Sequence, residues 1–195
     1  MAIDVSVTDA NKEGSAKPNK PRHLMLLPDE IRPHAEALGG LVIAWGTLEL
    51  QLSILFAVML DLEFTSKGNV LMGHIEMKLR LKILNTLGPI VGRGLPNKWL
   101  SRLRDLLRHI ENDLCPERNR MIHDIWGKGT TDENEVMTRI ELKPKILKQT
   151  LALKFNRIQV SVPDIQSFTH DVLEATRQTG KLTLELKPSL RDKSL

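Results

Sequence analysis

Arg118, Asn119 and His123 are the residues whose types and spacing suit chemistry at a phosphate. An arginine grips phosphate through paired N–H donors, as a lysine cannot. Histidine, with an unperturbed pKa of about 6.5, can take or give a proton near neutral pH. Asn119 can orient the imidazole or bond a ribose hydroxyl. On a helix, Asn119 and His123 share a face, and Arg118 lies about 140° round from His123, within reach of a long side chain. Pro116 is favoured at the first position of a helix, because its ring presets φ and its missing N–H has no intrahelical partner there. A new helix or a sharp kink is therefore expected at Pro116, with Arg118 in its first turn, where free backbone N–H groups attract anions. A cation there costs some helix stability, which favours a phosphate-binding use.

The elements that must position these residues follow from hydrophobic periodicity. Residues 31–60 form the principal helix, with Leu38, Leu41, Trp45, Leu48, Leu52, Leu55 and Met59 stepping by threes and fours. Glu49 shares a face with Trp45, Leu52 and Phe56; its carboxylate either pairs with Arg118 or reaches water at the edge of the core. A second helix over 70–91 carries Ile75, Leu79, Ile83, Leu87 and Ile90 as its stripe, and the run 88–96, with two prolines and three glycines, ends it. The third helix, 97–114, carries Trp99, Leu103, Leu106, Leu107, Ile110 and Leu114 on one side and delivers the chain to Pro116.

The motif Arg118-Asn119, three residues, then His123 resembles the Arg-polar-x3-His motif of HEPN domains, all-helical modules found in many bacterial toxin, abortive-infection and CRISPR-linked ribonucleases. The resemblance covers residues 30–127, including the long helix that leads into the motif. Arg104-Asp105 to His109 has the same spacing but sits mid-helix, with Arg104 and Arg108 on the side away from the leucine stripe, as a solvated face would be. The later copy follows a helix start, has the amide in second place and closes with Trp126 and Gly127.

The resemblance implies a mainly α fold, a HEPN-like bundle of four to five helices, and a metal-independent endoribonuclease of toxin or phage-defence type. It implies no cofactor and a homodimer in which two motifs face each other, so that two His123 residues divide the roles of base and acid. The alternative is a non-catalytic module that binds a nucleotide, RNA or an antitoxin-like protein. RNA contacts are expected at Lys78 and Lys82, one turn apart on the second helix, and at Arg120; a solvated face also accounts for the two lysines. Asp124 is expected to support His123. A metal-dependent phosphohydrolase would instead use His123 and Asp124 with His74 and Asp171. A lone histidine beside Met121, Ile122 and Ile125 also fits simple packing.

Composition bounds these readings. The chain has 195 residues, enough for one domain with a proper core. Lys plus Arg outnumber Asp plus Glu by 28 to 24, a net +4 that permits nucleic acid as a partner without requiring it. The single cysteine, Cys115, excludes an internal disulfide framework, and a reducing cytoplasm is the simplest compartment. A cysteine nucleophile would need an oriented base and an electropositive pocket, so Cys115 reads as a small buried residue. Residues 37–60 are long and apolar enough to cross a bilayer, but Glu49 at the centre makes a buried core helix the better reading.

The domain organisation follows. Residues 1–27 form a flexible tail, 28–187 the helical domain, and 188–195 a second tail. Within the domain, 136–162 form a β appendage, a hairpin or flap with a long connection. In it, Val136, Thr138, Ile140 and Leu142 alternate with Met137, Arg139 and Glu141, and Ile158, Val160 and Val162 share a side. A C-terminal helix over 163–180 presents Ile165, Phe168, Val172 and Leu173 and ends at Gly180, after which Leu182, Leu184 and Leu186 suggest a short strand.

Overall fold

The expected three-and-four stepping of apolar residues builds α1 (Arg32–Met59), in which Leu41, Trp45, Leu48, Leu52, Leu55 and Met59 are buried and Leu38 half-buried. The computed structural model describes residues 28–29, 31–62, 73–131, 134–147 and 150–191. The tail expected over 1–27, the connection over 64–69 and the start of the second helix lie outside the described residues. The described chain is mainly helical, with α2 (Met77–Val91), α3 (Asn97–His109), a π-helical segment (Ile110–Leu114), α4 (Cys115–His123) and α5 (Val162–Arg191). A three-stranded antiparallel sheet, β1 (Ile125–Thr131), β2 (Asn134–Leu147) and β3 (Thr150–Gln159), stands between α4 and α5 in chain order.

The core lies chiefly between α1 and α5, with α3 closing it. Ile165, Val172, Ala175, Leu182 and Leu186 of α5 are buried. The Trp99 indole N–H donates to the main-chain oxygen of Leu182 at 3.1 Å, tying α3 to α5. α1 is the one helix long and apolar enough to cross a membrane among the described residues, and 44% of its most apolar window is buried inside the protein.

The structure corrects several sequence expectations. The last helix does not end at Gly180, and 182–186 is not a strand, because Leu182 and Leu186 lie four apart and continue the buried face of Val172, Ala175 and Thr179. Leu184 is exposed, and so is Leu173, which the sequence placed on the apolar side. In α2 the buried positions are Arg80, Leu81, Leu84 and Gly88, while Leu79 and Ile90 are exposed, so the helix is turned from its expected stripe. Gly88 explains the turn. A Cβ there would lie 2.8 Å from a Leu103 methyl carbon, so only a glycine lets α2 and α3 approach this closely without displacing that leucine. Pro89 then sits inside the last turn of α2 rather than ending it beforehand.

Pro116 starts no separate helix. The chain runs on from α3 through the π segment into α4, and the Cys115 N–H donates to the Ile110 carbonyl five residues back. A proline ring clashes with the carbonyl four residues before it; widening the preceding turn to the π pattern accommodates the ring without breaking the helix.

The sheet is larger than the expected hairpin. β1 pairs with β2 (Trp126 opposite Arg139), and β2 pairs with β3 (Arg139 opposite Ile158). Directly paired residues point to the same face, so Trp126, Arg139 and Ile158 form one row across three strands. Trp126 and Ile158 pack against the helical core, and Arg139 between them is 4% exposed. Its charge is met by α4: Arg139 Nη1 donates to Glu117 Oε1 at 2.8 Å, and Arg139 Nε lies 3.5 Å from Asp124 Oδ2. Arg139 of β2 is thus turned to the helices, not to solvent.

Burial raises the Glu117 carboxyl pKa, but hydrogen bonds from Arg139 and Arg120, and their charges, outweigh it and hold the group below its ordinary value of 4.5. A folded-state pKa that is depressed contributes stability present above 4.5 and lost as pH falls through the lowered value. Arg139→Ala is expected to cost about 3 kcal/mol at neutral pH, the lower end for breaking a buried pair, because Glu117 keeps Arg120. Urea unfolding measures this, and the gap between wild type and variant narrows as the pH falls through the depressed Glu117 value.

Candidate functional site

α4 is short, and its side chains divide between two duties. Glu117 and the C-terminal Asp124 face Arg139 of the sheet, whereas Arg118 faces α1. The Arg118 guanidinium lies over the Trp45 ring, 5.5 Å from its centroid, in the geometry of a cation–π contact. Trp45 is buried, and its indole N–H donates to Glu49 Oε1 at 2.9 Å, one turn further along α1. Of the two expectations for Glu49, a pair with Arg118 or a place at the edge of the core, the described contacts give an indirect link to Arg118 through Trp45: the ring carries the cation and the N–H carries the acid.

The guanidinium brings the motif together. Arg118 Nη1 donates to Asn119 Oδ1 at 3.1 Å and meets His123 Nε2 at 3.2 Å. A guanidinium has donors only, so in this contact Nε2 of His123 accepts and carries no proton, and the ring proton sits on Nδ1. The Arg118 Nε is buried without a hydrogen-bond acceptor. Asn119 and His123 are exposed and Arg118 half-buried, so the trio opens to solvent on a support that is buried.

The other expected site residues are placed differently. Asp124, expected to support His123, sits at the Arg139 guanidinium instead. Arg120 is ion-paired with Glu117, three residues before it on the same helix. Lys78 and Lys82 are exposed on α2. Among the described residues no three His, Cys, Asp or Glu side chains converge as metal ligands, so His74 and Asp171 do not join His123 and Asp124 in one site.

Three residues that hold the candidate site in place were not assigned from the sequence. Trp45 was placed as core, although its spacing of four from Glu49 is the signal of an indole–carboxylate pair on one helix face. Glu117 and Arg139 lie 22 residues apart, and no local pattern joins them. Arg80 is also buried: its Nη2 donates to the Ile75 carbonyl at 2.9 Å and its Nη1 to the Glu49 carbonyl at 3.3 Å, joining α2 to α1. Burial pulls its pKa below the ordinary arginine value, opposed by the charge of Glu49.

Comparison with protein-family models, with curated proteins and with solved structures finds no match to this chain.

Cys115 lies next to the motif, and burial pushes its thiol up to about 11, with Glu111 and Glu49 acting in the same direction against Arg118. At pH ~8 such a thiol is ionised roughly 200-fold less than an ordinary cysteine with a pKa of about 8.5. Iodoacetamide labelling of the folded protein, followed by mass spectrometry, is expected to be slower by that order; labelling at the rate of a free thiol would restore Cys115 as a candidate nucleophile.

Proposed function

We propose that the chain is a metal-independent endoribonuclease of toxin or phage-defence type that cleaves RNA by attack of the ribose 2′-hydroxyl. The observation that carries this reading is the contact of Arg118 Nη1 with both Asn119 Oδ1 and His123 Nε2 at a solvent-open edge. A phosphodiester entering this edge draws the guanidinium onto its oxygens, which releases the lone pair of His123 Nε2. That nitrogen takes the 2′-hydroxyl proton, the 2′-oxygen bonds to phosphorus, and the bond from phosphorus to the 5′-oxygen breaks. The leaving oxygen needs a proton, and one imidazole cannot be base and acid in the same step. A second copy of the chain supplies it from its own His123.

A homodimer also suits the outer face of α1. Ile43 and Leu50, seven residues apart and therefore on one face, are 73% and 57% exposed, with Gly46 and Thr47 exposed between them. This face belongs to the same helix that holds Trp45 beneath Arg118, so pairing there brings two motifs onto one assembly.

A second reading is favoured by the same contact. With Nε2 occupied, His123 is not poised as a base, and Arg118 then serves a non-catalytic module that binds a nucleotide, RNA or an antitoxin-like protein. The two readings divide on turnover. With chelator present, the nuclease cleaves single-stranded RNA to 2′,3′-cyclic phosphate ends, and His123→Ala lowers the rate by at least about 100-fold with the fold kept. Arg118→Lys keeps the charge but loses the paired donors, and is expected to lose most of the rate as well. Cleavage undiminished in His123→Ala removes the nuclease reading; RNA binding without cleavage, weakened in Arg118→Ala, selects the module.

A further inference from the structure

We infer that the groove between α2 and α3 is a binding track for the phosphodiester backbone of a single-stranded nucleic acid. The groove has a volume of about 560 Å³ and is partly open to solvent. It is built from residues separate from the Arg118 site. Lys78 and Lys82 stand one turn apart on α2, and Arg104 and Arg108 one turn apart on α3, and all four line it. The sequence alone places Arg104 and Arg108 on a solvated face; the crossing of α2 and α3 turns that face toward the lysines.

Among the described residues four cations and one carboxylate, Glu111, line it. Among the described residues Lys78, Lys82 and Arg104 have no ion-pair or hydrogen-bond partner, and Arg108 has only a long contact of 3.4 Å to Asp105. Like charges gathered without counterions repel one another and raise the local potential, so the arrangement favours a polyanion. The spacing selects its kind. Each row repeats at about 5–6 Å, the separation of side chains one helical turn apart, which suits a strand with one charge on every successive unit.

Asn85 and Asn112 also line the groove and add neutral donors and acceptors for sugar or base edges. Among the described residues no aromatic side chain lines it, so these offer no stacking platform for bases. Phosphate contacts without stacking give binding that is strongly salt-dependent and indifferent to sequence.

Fluorescence anisotropy with a labelled 12-mer of 2′-O-methyl uridine, which cannot be cleaved by 2′-hydroxyl attack, tests the track independently of any nuclease activity. A 12-mer of deoxythymidine and a 12-mer of glutamate complete the set, each measured over a range of salt. The two oligonucleotides are expected to bind, with the logarithm of affinity falling as salt rises by about 0.7 per phosphate contact. Lys82→Ala with Arg104→Ala is expected to weaken both at least 10-fold and to flatten the slope by about 1.4. Arg177→Ala, which removes an exposed cation paired with Glu174 outside the groove, leaves both values unchanged. Lys82→Gln with Arg104→Gln, with its thermal midpoint compared to wild type, guards against loss of fold. Unchanged oligonucleotide affinity and slope in folded variants, or tighter binding of the glutamate peptide than of either oligonucleotide, overturns the proposal.

Discussion

The Arg118 guanidinium stacked on the buried Trp45 ring is the contact on which the candidate site depends. An exposed arginine on a short helix would sample many rotamers, and ordering it costs side-chain entropy approaching 2 kcal/mol. A cation–π contact returns about 0.5–2 kcal/mol, more as water is excluded. Here the ring is itself held, by burial in α1 and by its N–H bond to Glu49, so it cannot rotate away. The contact therefore offsets much of that cost in the free protein, and in the orientation it favours Nη1 lies between the Asn119 amide and the His123 imidazole.

A second constraint holds the helix that carries the trio. α4 has nine residues, too few for stability on its own, and only Met121 is fully buried. Its position comes from both ends. The π segment continues it from α3, whose Ile110 and Leu114 neighbours are fully packed, and Arg139 pins Glu117 and Asp124 to the sheet. The Trp126 indole N–H adds a bond of 2.9 Å to the Met121 carbonyl, closing the turn from α4 into β1. The sheet's place in the molecule is thus clear: it is the clamp on the outer side of the helix whose inner side meets Trp45.

The parts of this arrangement that sequence could foretell are those with local periodicity. The stripes of α1 and α3, the motif spacing of Arg118, Asn119 and His123, and the mainly helical character with a small β region all follow from residues within a few turns of one another. What escaped needed distant partners. Arg139 looks like a solvent-facing charge in an alternating strand until Glu117 and Asp124 are brought over it. The stripe of α2 is displaced by a single close approach at Gly88, which no pattern within α2 announces. Leu182, Leu184 and Leu186 fit the period of a strand, and only the buried face continuing from Val172 decides for a helix. Trp45 was legible as core, but its role as a platform became visible only when α4 crossed it.

The arrangement makes a definite statement about one proton. Long-range ¹H–¹⁵N NMR of the imidazole at pH ~8, above the ordinary histidine range, reads which nitrogen of His123 is protonated. With Arg118 Nη1 donating to it, Nε2 is the unprotonated nitrogen and Nδ1 bears the hydrogen, and Trp45→Leu, which removes the ring under the guanidinium, erodes that preference. An Nε2–H tautomer in the wild-type protein, unchanged by the loss of Trp45, contradicts the contact and with it the site.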